Sequence, residues 1–141
     1  MAALTADRAT DTRRGELASY PVKASTTIYA GSIVCVLNSS GHAQPGSDTA
    51  NLVFVGIARE KADNSAGAAG DVSVEVDCAP GMIVELAASG LAQADGDGTQ
   101  VYVADDQTVA KSGGSNSIKV GLLREFKSAT IAVVMIQPLI A

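Results

Sequence analysis

Two uncharged apolar runs, residues 33–37 and 52–57, flank a polar stretch rich in Gly, Ser, Asn, Asp and Pro. Continuous β-branched runs of this length read as central strands buried on both faces, because a half-wet strand would alternate. Residues 71–78 do alternate: Val72, Val74 and Val76 share one face, and Ser73, Glu75 and Asp77 the other. One side of that strand must be wet. The alternation recurs at residues 82–87 through Met82, Val84 and Leu86, where a short helix is the other reading. Further strands are expected at 100–104, 108–111, 117–126 and 129–137, the last two forming a hairpin through Lys127-Ser128. The final strand carries no charge and must be central or covered, since on an edge it would template aggregation.

Turn residues separate these runs. Ala30-Gly31-Ser32 reads as a sharp bend, Asn38-Ser39-Ser40-Gly41 and Pro45-Gly46-Ser47-Asp48 as turns, and His42-Ala43-Gln44 as a brief return. Residues 62–70, ADNSAGAAG, read as an exposed, mobile loop. Residues 1–19 follow neither a helical nor a strand period, and Arg8, Arg13 and Arg14 offset Asp7, Asp11 and Glu16. They read as an arm that orders only against a partner, with a frayed terminus as the other reading; fixing each residue costs roughly 1–2 kcal/mol. Tyr20-Pro21-Val22 opens the folded part, and after Pro138 an apolar tail, Leu139-Ile140-Ala141, has no evident partner within the chain. The expected architecture is all-β: a small β-sandwich or β-barrel-like domain over residues 20–141, with an extended N-terminal arm over 1–19.

Composition narrows the function. A chain of 141 residues fits one domain, and with 47% hydrophobic but 4% aromatic residues and no Trp, its core must be aliphatic. Exposed rings for stacking bases or sugars are correspondingly few. The net charge of −5, with basic residues scattered, disfavours nucleic acid. MAALTADRAT lacks the apolar core of a secretory signal, so cytoplasmic synthesis is expected. The longest apolar run, residues 129–136, falls well short of the ~20 needed for a membrane-spanning helix, and no membrane partner is expected. Cys35 and Cys78 sit in apolar runs and read as buried free thiols, with a disulfide as the alternative.

Catalytic signatures are sparse. His42, the single histidine, has no neighbouring ligand at metal-binding spacing and reads as a surface residue. Asp95-Gly96-Asp97-Gly98 opens like a calcium loop, but Gln100 and Asp106 stand where the pattern requires Gly and Glu. Adjacent Asp105 and Asp106 would point apart on extended backbone, which favours a turn over acid–base work. The glycines complete neither GxGxxG nor a P-loop, and GxSxG is absent. No enzyme activity, cofactor or metal is expected.

In its order of motifs the chain resembles the tailed-phage capsid cement proteins, also called head decoration or head-stabilising proteins. The resemblance rests on the polar start running into Arg13-Arg14-Gly15, on Ile28-Tyr29-Ala30-Gly31 before an apolar strand, and on Pro45-Gly46-Ser47-Asp48 before Leu52-Val53-Phe54-Val55-Gly56. Ala62-Asp63-Asn64-Ser65 and Val101-Tyr102-Val103-Ala104-Asp105-Asp106, followed by Thr108-Val109, complete it. It covers nearly the whole chain; the C-terminal residues are more apolar than the family pattern. The resemblance implies a virion protein, made in the host cytoplasm, that sits on the outer surface of the mature capsid and braces it by bridging major capsid protein subunits. It implies self-association on the shell, as trimers at threefold sites or, in some relatives, dimers at twofold sites. Leu4, Thr5, Arg8, Arg13, Arg14 and Leu17 become the expected capsid-contacting residues, and Leu139 and Ile140 an inter-subunit tail. Arg13 and Arg14 would pair with capsid carboxylates, with plain solvation as the alternative. The competing function is a phage or bacterial surface carbohydrate-binding module using loops 38–51 and 62–70, which the shortage of aromatics disfavours.

Overall fold

The computed structural model describes residues 2–3, 5–10, 15–96 and 98–140. Among the described residues the structure is all-β, with one 3₁₀ turn at Gln93–Asp95. The first half of the chain supplies a five-stranded sheet: β1 (Leu17–Pro21), β3 (Ile33–Leu37), β4 (Ala43–Pro45), β5 (Leu52–Ala58) and β7 (Ser73–Asp77), in the order β1-β7-β5-β3-β4. Between them β2 (Thr26–Ile28) pairs with β6 (Ala62–Asn64) as a separate two-stranded ribbon. The second half closes into a small barrel of β8 (Ile83–Ser89), β9 (Gln100–Val103), β10 (Thr108–Ala110), β11 (Lys119–Ser128) and β12 (Ile131–Ile136). All its pairings are antiparallel except β8–β10, which is parallel.

Strands β3 and β5 are the hinge of this arrangement, because they carry apolar side chains on both faces. Ile33, Cys35, Leu52 and Phe54 pack into one core with the barrel residues Leu86, Val101, Val120, Leu123, Val134 and Ile136. Val34 and Val55 point the other way, into a second core with Val22, Ile28, Val74 and Val76. Continuous burial explains the unbroken apolar runs, as the sequence leads one to expect. A bulge in β5 refines this: Cys35 faces Phe54 while Val34 faces Gly56, so Val55 is the extra residue. The strand changes phase there, and Ile57 rather than Gly56 returns to the barrel side. Gly56 has φ +153°, and a Cβ on it would press into the Asp77 carbonyl, so glycine is required.

Several expectations are met and others corrected. β7 buries Val74 and Val76 and leaves Ser73 exposed, and β12 lies centrally between β8 and β11. The folded part begins earlier than residue 20, however, because Leu17, Ala18 and Ser19 pair with Asp77, Val76 and Glu75. Residues 62–70 are not an open loop throughout. β6 occupies the first three, and the Asn64 side chain, 2% exposed, donates from Nδ2 to the carbonyls of Val22 (3.3 Å), Lys23 (3.0 Å) and Ala68 (2.9 Å). That buried amide fixes the ribbon to the start of the sheet. The C-terminal tail also has an internal partner: the Leu139 amide donates to the Phe54 carbonyl at 2.8 Å.

A carboxylate links the two halves of the chain. Asp48, after β4, accepts hydrogen bonds from the amides of Ser115 and Asn116 and from Asn116 Nδ2, at 2.9, 2.9 and 3.0 Å. The Ser115 amide, chiefly, holds the Asp48 carboxyl below its ordinary 3.8. A group with a lowered folded pKa stabilises the fold above its unfolded pKa, and the contribution disappears as pH falls through the folded value. The wild type should therefore lose more stability than Asp48→Ala as pH is lowered through and below 3.8. Urea midpoints measured against pH will check this, with parallel curves for the two proteins counting against the clasp.

Candidate interaction surfaces

Residues 5–10 are exposed and belong to no strand or helix, and the chain then enters the body through β1. Thr5 and Arg8, with Ala6 and Asp7, border an open depression on this segment. Leu4, Arg13 and Arg14 lie outside the described residues. Leu17 is placed on β1, at an edge of the five-stranded sheet, and remains 39% exposed. Leu139 and Ile140 are exposed at 64% and 48%, with Leu139 in a left-handed conformation at φ +67°. The tail is thus tied by its backbone to β5 while both apolar side chains face outward. No hydrogen bond among the described residues joins it to segment 5–10.

Two further exposed apolar residues are not among the expected contact residues. Tyr29, 59% exposed, sits on the β2–β3 turn, where its carbonyl accepts from both the amide and the hydroxyl of Ser32 at 3.2 and 2.7 Å. Its ring lies 5.4 Å from Lys61 Nζ and borders a surface cleft shared with Gly31, Ser32, Asp106 and Gln107. A lone aromatic in a turn carries no periodic signal. Ile83, 56% exposed, opposes Met135, which in turn opposes Leu122, in an apolar rung on the outside of the barrel. Its place out of phase with Met82, Val84 and Leu86 was the available clue.

The ionisable groups do structural work. Asp95 accepts from the Ala92 amide at 2.6 Å and pairs with Lys111 at 3.1 Å; the amide, first, and then Lys111 hold its carboxyl below the usual range. Asp105 Oδ1 accepts from the amides of Gln107 and Thr108, closing the β9–β10 turn. Arg59 spans Glu75 and Asp77 on the sheet surface at 3.3 and 3.6 Å. Neither cysteine is in a disulfide; Cys35 is buried, its thiol pushed up to about 12 by desolvation, and Cys78, half-buried, donates from Sγ to the Gly15 carbonyl at 3.5 Å. His42 is half-buried in the turn before β4. Among the described residues no three His, Cys, Asp or Glu side chains are grouped to hold a metal. Comparison with family models, with curated proteins and with solved structures gave no match.

Proposed function

We propose that this chain is a structural virion protein that binds the exterior of a mature tailed-phage capsid and stabilises it by bridging neighbouring major capsid protein subunits. The observation that carries the reading is the path of the N-terminal segment. Residues 5–10 are exposed and lead into an edge strand, so the segment can reach a neighbouring surface while β1 stays in the sheet. Its polar composition disfavours packing on its own body, and a partner surface would repay the cost of ordering it. The outward Leu139 and Ile140 offer a second contact. Several weak contacts, repeated in an oligomer on a repeating shell, add to high avidity without one strong site. The order of motifs shared with capsid cement proteins supports the same reading.

Deleting residues 2–15 tests it. The truncated chain should keep the circular dichroism spectrum and unfolding midpoint of the full protein, because β1 begins at Leu17. In co-sedimentation with expanded heads that lack the protein, the full chain should decorate them and the truncated one should not. Full occupancy by the truncated chain would overturn the arm's role.

The Tyr29 cleft favours a second reading, carbohydrate binding, since an exposed ring beside a carboxylate and an amide can stack on and hydrogen-bond a sugar. Glycan-array binding that is lost in Tyr29→Ala, with no affinity for heads, would favour it.

A further inference from the structure

Two turns from opposite halves of the chain meet where the sheet joins the barrel. The Ile33 amide, which opens β3, donates to the Asp106 carbonyl of the β9–β10 turn at 2.7 Å, and the Ala87 amide of β8 donates to the Gln107 carbonyl at 3.1 Å. On the β2–β3 side the Gly31 amide donates to the Ala58 carbonyl at 2.8 Å, and Ser32 ties back to the Tyr29 carbonyl. Both walls of the cleft between the turns are thus held by backbone. The space measures about 270 Å³ and is bordered by Tyr29, Ala30, Gly31, Ser32, Asp106 and Gln107. It has room for one side chain and falls below the ~300–1,000 Å³ of sites for drug-sized ligands.

The fold leaves the polar groups around this space unused. Among the described residues the Tyr29 hydroxyl, the Asp106 carboxylate and the Gln107 side-chain amide make no hydrogen bond or ion pair. The neighbouring carboxylates are committed: Asp105 accepts from the amides of Gln107 and Thr108, and Asp63 from the Ser65 amide and the Thr27 hydroxyl. Asp106 is therefore available to a ligand. The ring beside it already draws a cation, since Lys61 Nζ lies 5.4 Å from its centroid, inside the ~6 Å reach of a cation–π contact. An open carboxylate next to an exposed aromatic face matches a flat cation. A guanidinium can stack on the ring while its N–H groups meet carboxylate and amide oxygens; an ammonium is a strongly hydrated point charge with no plane to stack.

We propose that this cleft receives one arginine side chain of a partner protein, its guanidinium on Tyr29 and against Asp106, with Lys61 a built-in competitor for the ring. The pairing is independent of capsid binding, because any partner loop that presents an arginine carries the same chemistry. A neutral sugar would also stack on Tyr29. It would be indifferent to the charge of Lys61, and the two ligands are separated on that point.

The test is titration of the ¹⁵N-labelled full chain with N-acetyl-L-arginine methylamide, followed by the amide shifts of residues 29–32 and 105–107. Saturable shifts are expected there, larger than with the lysine analogue or with methyl glycosides. Free L-arginine should bind no more tightly than the capped form, as befits a site that reads a side chain. Tyr29→Leu and Asp106→Asn, both outside the cores, should each weaken binding about two- to fivefold, the range that exposed cation–π and ion-pair contacts allow. Lys61→Ala should strengthen it by a similar factor. Absence of saturable shifts overturns the proposal, as does binding that survives both Tyr29→Leu and Asp106→Asn. Weaker binding in Lys61→Ala would make the cleft an anion site, preference for a glycoside a sugar site, and preference for free L-arginine an amino-acid site; each result contradicts the assignment.

Discussion

Replacing Phe54 with Ala should lower the unfolding free energy by about 3–5 kcal/mol, the range for deleting a buried aromatic ring. Phe54 is the largest fully buried side chain among the described residues. It lies on β5, in the sheet that carries both cores, and packs with Ile33, Cys35 and Leu52 against the barrel residues. Its surroundings cannot readily collapse into the space, since β-branched neighbours such as Ile33, Val101, Val134 and Ile136 have few rotamers available. Its carbonyl also receives the Leu139 amide, so a shift of β5 would disturb the tail. Chemical denaturation should show one cooperative transition at a lower midpoint, because the barrel and the sheet share this residue. A loss below about 1 kcal/mol would mean that the ring is not the joint between them.

The second large effect is expected at Gly121, on β11 between Ile136 of β12 and Val101 of β9. A Cβ there would run into the Met135 carbonyl and stand 2.9 Å from the Ile136 Cα. The obstacle is backbone on a bonded strand, so no side-chain rotation relieves it. Gly121→Ala should fall at or above the top of the ~1–3 kcal/mol typical of overpacking, with the barrel forced to open locally. Gly15→Ala is the control, since nothing lies within 4 Å of a Cβ at that position. Denaturation midpoints of the two variants should differ clearly, and equal midpoints would show that the β11–β12 pairing yields at little cost.

How far the sequence reveals this fold depends on the length and purity of each signal. β3, β5 and β12 announce themselves as uncharged apolar runs, and β7 as an alternation, because burial selects side chains at every second position or at all of them. β6 is hidden because three residues, ADN, are too few for periodicity and Asn64 is polar although buried. Its burial depends on carbonyls from residues 22, 23 and 68, a meeting that no local pattern encodes. The start of β1 is missed for a related reason: Leu17, Ala18 and Ser19 belong to the sheet through β7, more than fifty residues away. Neither the division into sheet and barrel nor the parallel β8–β10 pair can be read from hydropathy, which reports burial and not partner. Of the interaction surfaces, segment 5–10 is legible as aperiodic polar sequence and the tail as apolar residues after Pro138.

The central claim is that this β-rich body braces a capsid from outside. Cryo-electron microscopy of the particle made with this chain tests it most directly. The account predicts density for the sheet and barrel on the outer surface of the expanded shell, bridging neighbouring capsid subunits, with residues 2–16 traced across one of them. Density confined to the interior, the tail or a single capsid subunit, or a particle with no bound copy at all, would contradict it.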